Sequence, residues 1–184
     1  PNIIFNLMKH LPMDGMLSLT GTLGLNITRQ ESNTFLKPFE NIPTVSLSIP
    51  LENCKNVTLD NYMSSFRITE HLLFHGYQNI GYISGPLSTP ESIDRRDCAI
   101  AALKTENKTF IKICEGDFSS ASGYEHAQVL LDANVKAIIC GNDQMALGVY
   151  KAANERGLKI PDEIAVIGFD DIESANLISP TLTT

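Results

Sequence analysis

The chain has 184 residues, 43% of them hydrophobic and 19% charged, and carries a formal net charge of −7. That length can bury a sizeable core in one or two domains. The acidic balance and the lack of a basic run exclude phosphate tracking by this segment itself, no apolar stretch is long enough to span a bilayer, and the opening residues show no signal-peptide pattern.

Ile3, Ile4, Leu7, Met8 and Leu11 recur at helical spacing and Pro12 closes the run, so 1–12 is predicted as a helix. A strand over 16–20 follows Asp14-Gly15, then a loop over 21–24. Residues 29–40 predict a short helix ending near Pro38. PTVSLSI at 43–49 alternates in character and predicts a strand, 50–55 a polar loop, and 56–60 a further short strand. A helix over 62–75 turns Phe66, Leu72 and Leu73 inward and stops at Gly76.

Beyond Gly76 the pattern continues without a shift in composition. A strand over 80–84 leads through a Gly/Pro loop at 85–89 to a helix over 91–104. A strand over 110–114 precedes a helix over 119–131, capped by Ser119 or Ser120. The segment 137–171 is the most informative. Its apolar run Ala137–Cys140 is too short for a helix, ends at Gly141, and reads as a buried strand. Asn142 and Asp143 are both good caps, and Met145, Ala146, Val149, Ala152 and Ala153 trace one helical face. Gly157 and Pro161 stop that helix, and the run 164–167 is the next strand, ending at Gly168-Phe169-Asp170-Asp171. Strand, helix and strand with short connections imply a parallel right-handed unit. Its two polar clusters, Asn142-Asp143 and Asp170-Asp171, therefore fall at the carboxyl edge of the sheet, where open α/β sheets bind ligands. Strands alternating with helices throughout predict a mostly parallel α/β fold.

The four cysteines, Cys54, Cys98, Cys114 and Cys140, show neither CxxC nor zinc spacing. Cys114 and Cys140 fall in predicted strands and read as small buried hydrophobes, and a reducing cytoplasm is the simplest setting. His10, His71, His75 and His126 offer no three- or four-ligand metal spacing. G-x-S-x-G, G-x-G-x-x-G and the phosphate-loop motif are absent, so the sequence supports no catalysis and no cofactor.

NDQMALG at 142–148, IPDEIAVIGFDD at 160–171, and Pro180 with LTT at 182–184 together resemble the signature of LacI/GalR-type bacterial transcriptional regulators, in their effector-binding part. The resemblance extends upstream through EGDFS at 115–119, GYISGPLS at 81–88, TEHL at 69–72 and LDN at 59–61. It implies a two-lobed, periplasmic-binding-protein-like fold with parallel sheets flanked by helices and an effector held between the lobes. By the same resemblance residues 1–76 form part of an N-terminal subdomain, 77–184 a C-terminal one, and the chain is truncated at both ends, with the N-terminal lobe incomplete.

Five residues are candidates for ligand binding. Asp170 matches the ligand-facing acid of the family's GFDD motif; a carboxylate there can accept from two adjacent hydroxyls, though strand-end acids also cap helices. Asn142 offers a donor and an acceptor at a strand tip, or serves as a plain cap; because Asp143 is free to cap, Asn142 is assigned to the ligand. Arg95 matches an arginine at the start of the family's helix, and its planar fork suits ligand oxygens. Ile93 and Cys98-Ala99 depart from the family pattern, and the adjoining Arg96 leaves the register open, with a solvated arginine as the alternative. Phe118 matches the aromatic of the EGD-aromatic-S loop and can stack on a sugar or base, or be core. Asn41 precedes Ile42-Pro43 where the other subdomain could reach the ligand.

The resemblance implies a cytoplasmic, non-enzymatic sensor of a sugar-like effector. It would act as a homodimer and reach operator DNA through a helix-turn-helix outside this chain, away from any membrane. A periplasmic sugar-binding protein of an ABC importer is the alternative, since it shares the fold.

Overall fold

A computed structural model describes residues 7–8, 10–19 and 29–184. Leu7 and Met8 are helical, but most of the helix expected over 1–12, and all of the loop expected over 21–24, lie outside the described residues. Contacts divide the chain into a first unit, Pro1–Asp60 with Ser88–Pro90, and a second, Asn61–Leu87 with Glu91–Thr184.

The first unit contains strand β1 (Met16–Leu19), helix α1 (Arg29–Leu36) running into a 3-10 turn at Lys37–Phe39, strand β2 (Thr44–Leu47) and strand β3 (Lys55–Val57). The three strands are parallel in the order β1-β2-β3, with Met16 opposite Thr44 and Val45 opposite Lys55. Asn56 closes the loop before β3. Its Oδ1 accepts from Leu51 N at 2.8 Å and its Nδ2 donates to Leu51 O at 3.0 Å.

The second unit alternates strictly: helix α2 (Asn61–Phe74), strand β4 (Ile80–Ser84), helix α3 (Pro90–Thr105), strand β5 (Lys112–Glu115), helix α4 (Ser120–Asp132), strand β6 (Ala137–Cys140), helix α5 (Asp143–Glu155), strand β7 (Ala165–Ile167) and a 3-10 turn at Glu173–Asn176. All four strands are parallel, in the order β5-β4-β6-β7. The apolar runs are unbroken because both faces are covered. Ile80, Tyr82, Ala137, Ile139, Ala165 and Ile167 join Leu72 of α2 and Ala99 and Leu103 of α3 in one core. The alternate positions Ile83, Ile138, Cys140 and Val166 join α4 and α5 in the other. The expected parallel α/β architecture is present in both units, and Cys114 and Cys140 are buried as expected.

Helix α2 groups with the second unit because Leu72 packs in its core and Asn61 bonds to α3. The inward face of α2 differs from the expected one. Asn61, Ser65, Thr69 and Leu72 are buried, whereas Phe66 and Leu73 are only half-buried. Thr69 settles its hydroxyl on Ser65 O at 2.9 Å, which lets a polar residue occupy the interior. Gly76 at φ 84° and Gly157 at φ 69° end α2 and α5 in the left-handed region where only glycine is unstrained.

Strand order places β4 between β5 and β6, so the chain leaves β4 in one direction for β5 and crosses over to reach β6. That reversal makes the carboxyl ends of β4 and β6 the switch point of the sheet, where open α/β sheets bind ligands.

Candidate functional site

The carboxyl edge of the second unit collects the polar tips of three strands. The β6 tip supplies Gly141, Asn142 and Asp143; the β7 tip supplies Gly168 to Asp171; the loop after β5 supplies Asp117 and Phe118.

Arg95 reaches this edge from the first half of α3. It is buried, 8% exposed, and its fork is spent on the protein. Nε donates to Asn61 Oδ1 at 2.8 Å and Nη1 to Gly141 O at 2.7 Å. The guanidinium lies 3.6 Å from the centre of the Phe169 ring. Nη1 also stands 3.6 Å from Asp170 Oδ1, an ion pair longer than a hydrogen bond. Burial pulls the Arg95 pKa down, opposed first by Asp170, yet an arginine stays charged. Arg96, by contrast, points outward and pairs with its neighbour Asp97 at 2.7 Å. Of the two neighbours, Arg95 is thus the one buried at this edge, and Arg96 is half-buried away from it.

Asp170 is 40% exposed at its side chain. Burial of the remainder pushes its carboxyl above the ordinary range; Arg95 opposes the shift and Asp143 adds to it. Neither Asp170 nor Asp171 caps the following turn. That turn starts after Ile172, and no side chain caps it. Asp170 stands at φ 117° and Asp171 at φ 53°, and Phe118 at φ 68°. Left-handed backbone at non-glycine residues costs about 1–3 kcal/mol each, and it clusters where function holds it. Here three such residues occupy two neighbouring loops of one edge.

The cap expected of Asp143 falls on Asn142 instead. Asn142 is the cap of α5, extended at φ −157°, with Oδ1 accepting from Met145 N at 2.9 Å. Its Nδ2 donates to Phe118 O at 3.2 Å, tying the β5 loop to the β6 tip. Asp143 is fully buried. Its backbone N–H donates to Phe169 O at 2.9 Å and its Oδ2 accepts from Ile172 N at 3.0 Å. It thus clamps both ends of the Phe169–Asp170–Asp171 turn, and its Oδ1 is the one buried side-chain oxygen without a partner among the described residues. The extended backbone that a cap requires falls on Asn142, which leaves Asp143 as the first helical residue, turned inward.

Phe118 is half-buried and packs partly against the core. Its ring fills the space over Gly85, where a Cβ would collide with it. Asn41 belongs to the first unit. It is exposed, in the turn before β2, at the amino end of that strand. Arg95, Asp170, Asn142 and Phe118 are therefore gathered at one edge of the second unit, while Asn41 is described only within the first.

Three participants escaped sequence reasoning: Phe169 under the guanidinium, Asn61 holding its Nε, and Asp143 as the clamp. The aromatic inside GFDD and the Asn of LDN were visible, but only the fold reveals that they converge on one arginine.

Residues 69–184 match the family described as a periplasmic binding protein-like domain. The HTH-type transcriptional repressor PurR of Mannheimia succiniciproducens is 31% identical, covering 97% of this chain and 55% of that protein. Catabolite control protein A of Priestia megaterium is 30% identical, covering 98% and 55%. The ribose operon repressor of Escherichia coli is 33% identical, covering 94% and 52%. The chain thus spans about half the length of the curated relatives it matches. Among solved structures, the Escherichia coli transcriptional repressor ascG is similar with a TM-score of 0.80 at 28% identity, covering 96% of this chain and 65% of that one. A dimeric Lac repressor with a C-terminal deletion gives a TM-score of 0.84 at 25% identity, covering 97% and 65%.

Proposed function

This chain belongs to the periplasmic binding protein-like family, and from that premise we propose that it is the effector-sensing core of a LacI-type transcriptional repressor. The effector is a small sugar-like molecule, and the carboxyl edge of the second unit forms one wall of its site. Asp170 accepts from two adjacent hydroxyls, Arg95 holds the local positive charge, and the Phe118 ring meets an apolar ligand face. Asn142 acts chiefly by fixing the Phe118 turn, with one N–H of its amide left to the ligand. Asn41 does not enter this reading.

The observation that carries the proposal is the pairing of a half-exposed Asp170 with a buried, stacked Arg95 at the sheet's switch point. A carboxylate whose burial is incomplete and whose ion pair is loose is ready to exchange partners with ligand hydroxyls.

In the whole protein, a homodimer, effector binding favours one conformation over another and so changes the spacing of two DNA-binding heads. Operator contacts come from a helix-turn-helix elsewhere in that protein, because this segment's charge of −7 disfavours phosphate binding. It works in the cytoplasm and catalyses nothing. The importer alternative is disfavoured by relatives that are repressors.

A thermal-shift screen of sugars and nucleosides against the whole protein tests this, since a ligand that binds only the native state raises the melting temperature. A sugar is expected to do so, and Asp170→Asn to abolish the shift while leaving the unliganded protein folded. Unchanged affinity in Asp170→Asn would remove the site assignment, and a response to nucleosides alone would remove the sugar.

A further inference from the structure

His71 and His75 lie one turn apart near the end of α2, and the bond from His75 N to His71 O at 3.1 Å keeps the helix intact through the pair. A spacing of four residues puts both rings on one face. Their centroids stand 4.6 Å apart with planes inclined at 64°. Phe74 meets the His75 ring edge-on at 5.4 Å. Both imidazoles are exposed, so no burial competes with a ligand for their nitrogens.

The separation suits a shared metal ion. An imidazole nitrogen binds such an ion at about 2.0–2.1 Å, which puts the ion roughly 3.2 Å from each ring centre. Two centres 4.6 Å apart then subtend about 90° at the ion, within reach of tetrahedral or square coordination. Asp162 and Glu163 line a hollow of about 430 Å³ together with His75 and Lys136, two acidic residues to one basic. That balance favours cations nearby. Among the described residues no third His, Cys, Asp or Glu completes a ligand set. An ion held here keeps water in its other positions.

We propose that His71 and His75 form a two-ligand surface site for a divalent transition metal of the imidazole-preferring class: Zn²⁺, Ni²⁺ or Cu²⁺. Binding cross-links the last turn of α2 just ahead of Gly76.

The test is calorimetric titration of the whole protein, free of any polyhistidine tag, at near-neutral pH. One equivalent is expected with each of the three metals, tightest for Cu²⁺, and none with Mg²⁺. Losing a group that only orients a metal's ligand costs about 10–100-fold, so His71→Ala and His75→Ala should each weaken binding at least tenfold. His126→Ala and Cys54→Ser should leave it unchanged. Binding that survives both α2 substitutions, or that vanishes in Cys54→Ser, overturns the proposal. So does the absence of heat with all three metals at millimolar concentration.

Discussion

Arg95→Lys probes the centre of the site. Lysine keeps the charge but loses the fork, so its ammonium can hold Gly141 O or Asn61 Oδ1 and not both in the present geometry. One charge-assisted bond is lost, about 1.5–3 kcal/mol, and a buried acceptor is left without its donor. Loss of the face over Phe169 removes about 0.5–2 kcal/mol more. Because the ammonium stays near Asp170, the loose ion pair changes little. The expected loss is about 2–5 kcal/mol, a urea midpoint lower by about 1–2.5 M at a slope of about 2 kcal/mol per M. Far-UV circular dichroism follows the transition. Pairing the change with Asn61→Ala gives a cycle in which the two substitutions should couple by about 1–3 kcal/mol. Arg96→Ala, which removes only the surface pair with the neighbouring Asp97, should stay within about 1 kcal/mol. A loss below about 1 kcal/mol for Arg95→Lys, or additivity in the cycle, would refute the view that this arginine organises the edge.

Asn142→Ala should cost about 1 kcal/mol through the cap of α5, whereas Asn142→Asp keeps an accepting oxygen and should retain most of that stability; calorimetric melting separates them, and equal melting of all three proteins would deny the capping role. Asp170 carries a sign. Its folded pKa lies above the unfolded value, so its favourable contribution is complete below the unfolded pKa and is lost as pH rises through the folded one. Denaturation midpoints of Asp170→Asn should therefore rise relative to the wild type as pH goes from about 3 to 6, starting near the ordinary carboxylate range; midpoints that instead fall relative to the wild type over that range would mean that Arg95 attraction outweighs burial. Gly148→Ala places a methyl group against the backbone of Ser120 and Tyr124, which cannot swing aside. Overpacking of about 1–3 kcal/mol should exceed the gain of about 1 kcal/mol in helix propensity, and a higher melting temperature would contradict so close an approach of α4 and α5.

Local chemistry was legible wherever one stretch of chain decides its own state. Ile80–Ser84 and Ala137–Cys140 occupy the residues that their apolar runs indicated, and Gly76 and Gly157 end their helices as expected. The parallel order of β6 and β7, and hence the gathering of Asn142 and Asp170 at one edge, followed from short connections alone. What the chain could not disclose were choices between neighbours of equal propensity. Asn142 and Asp143 cap equally well, and Arg95 and Arg96 are chemically identical. The tie is broken by which of each pair meets a partner distant in sequence: Phe118 O for Asn142, Ile172 N for Asp143, and Asn61 with Phe169 for Arg95. Helix α2 turned polar residues inward for a related reason, since Asn61 is needed beneath the arginine and Thr69 satisfies itself on the helix backbone. Periodicity determined the elements because it is a property of consecutive residues; the site was decided by tertiary packing because a buried donor must find its acceptor, wherever in the chain that acceptor lies.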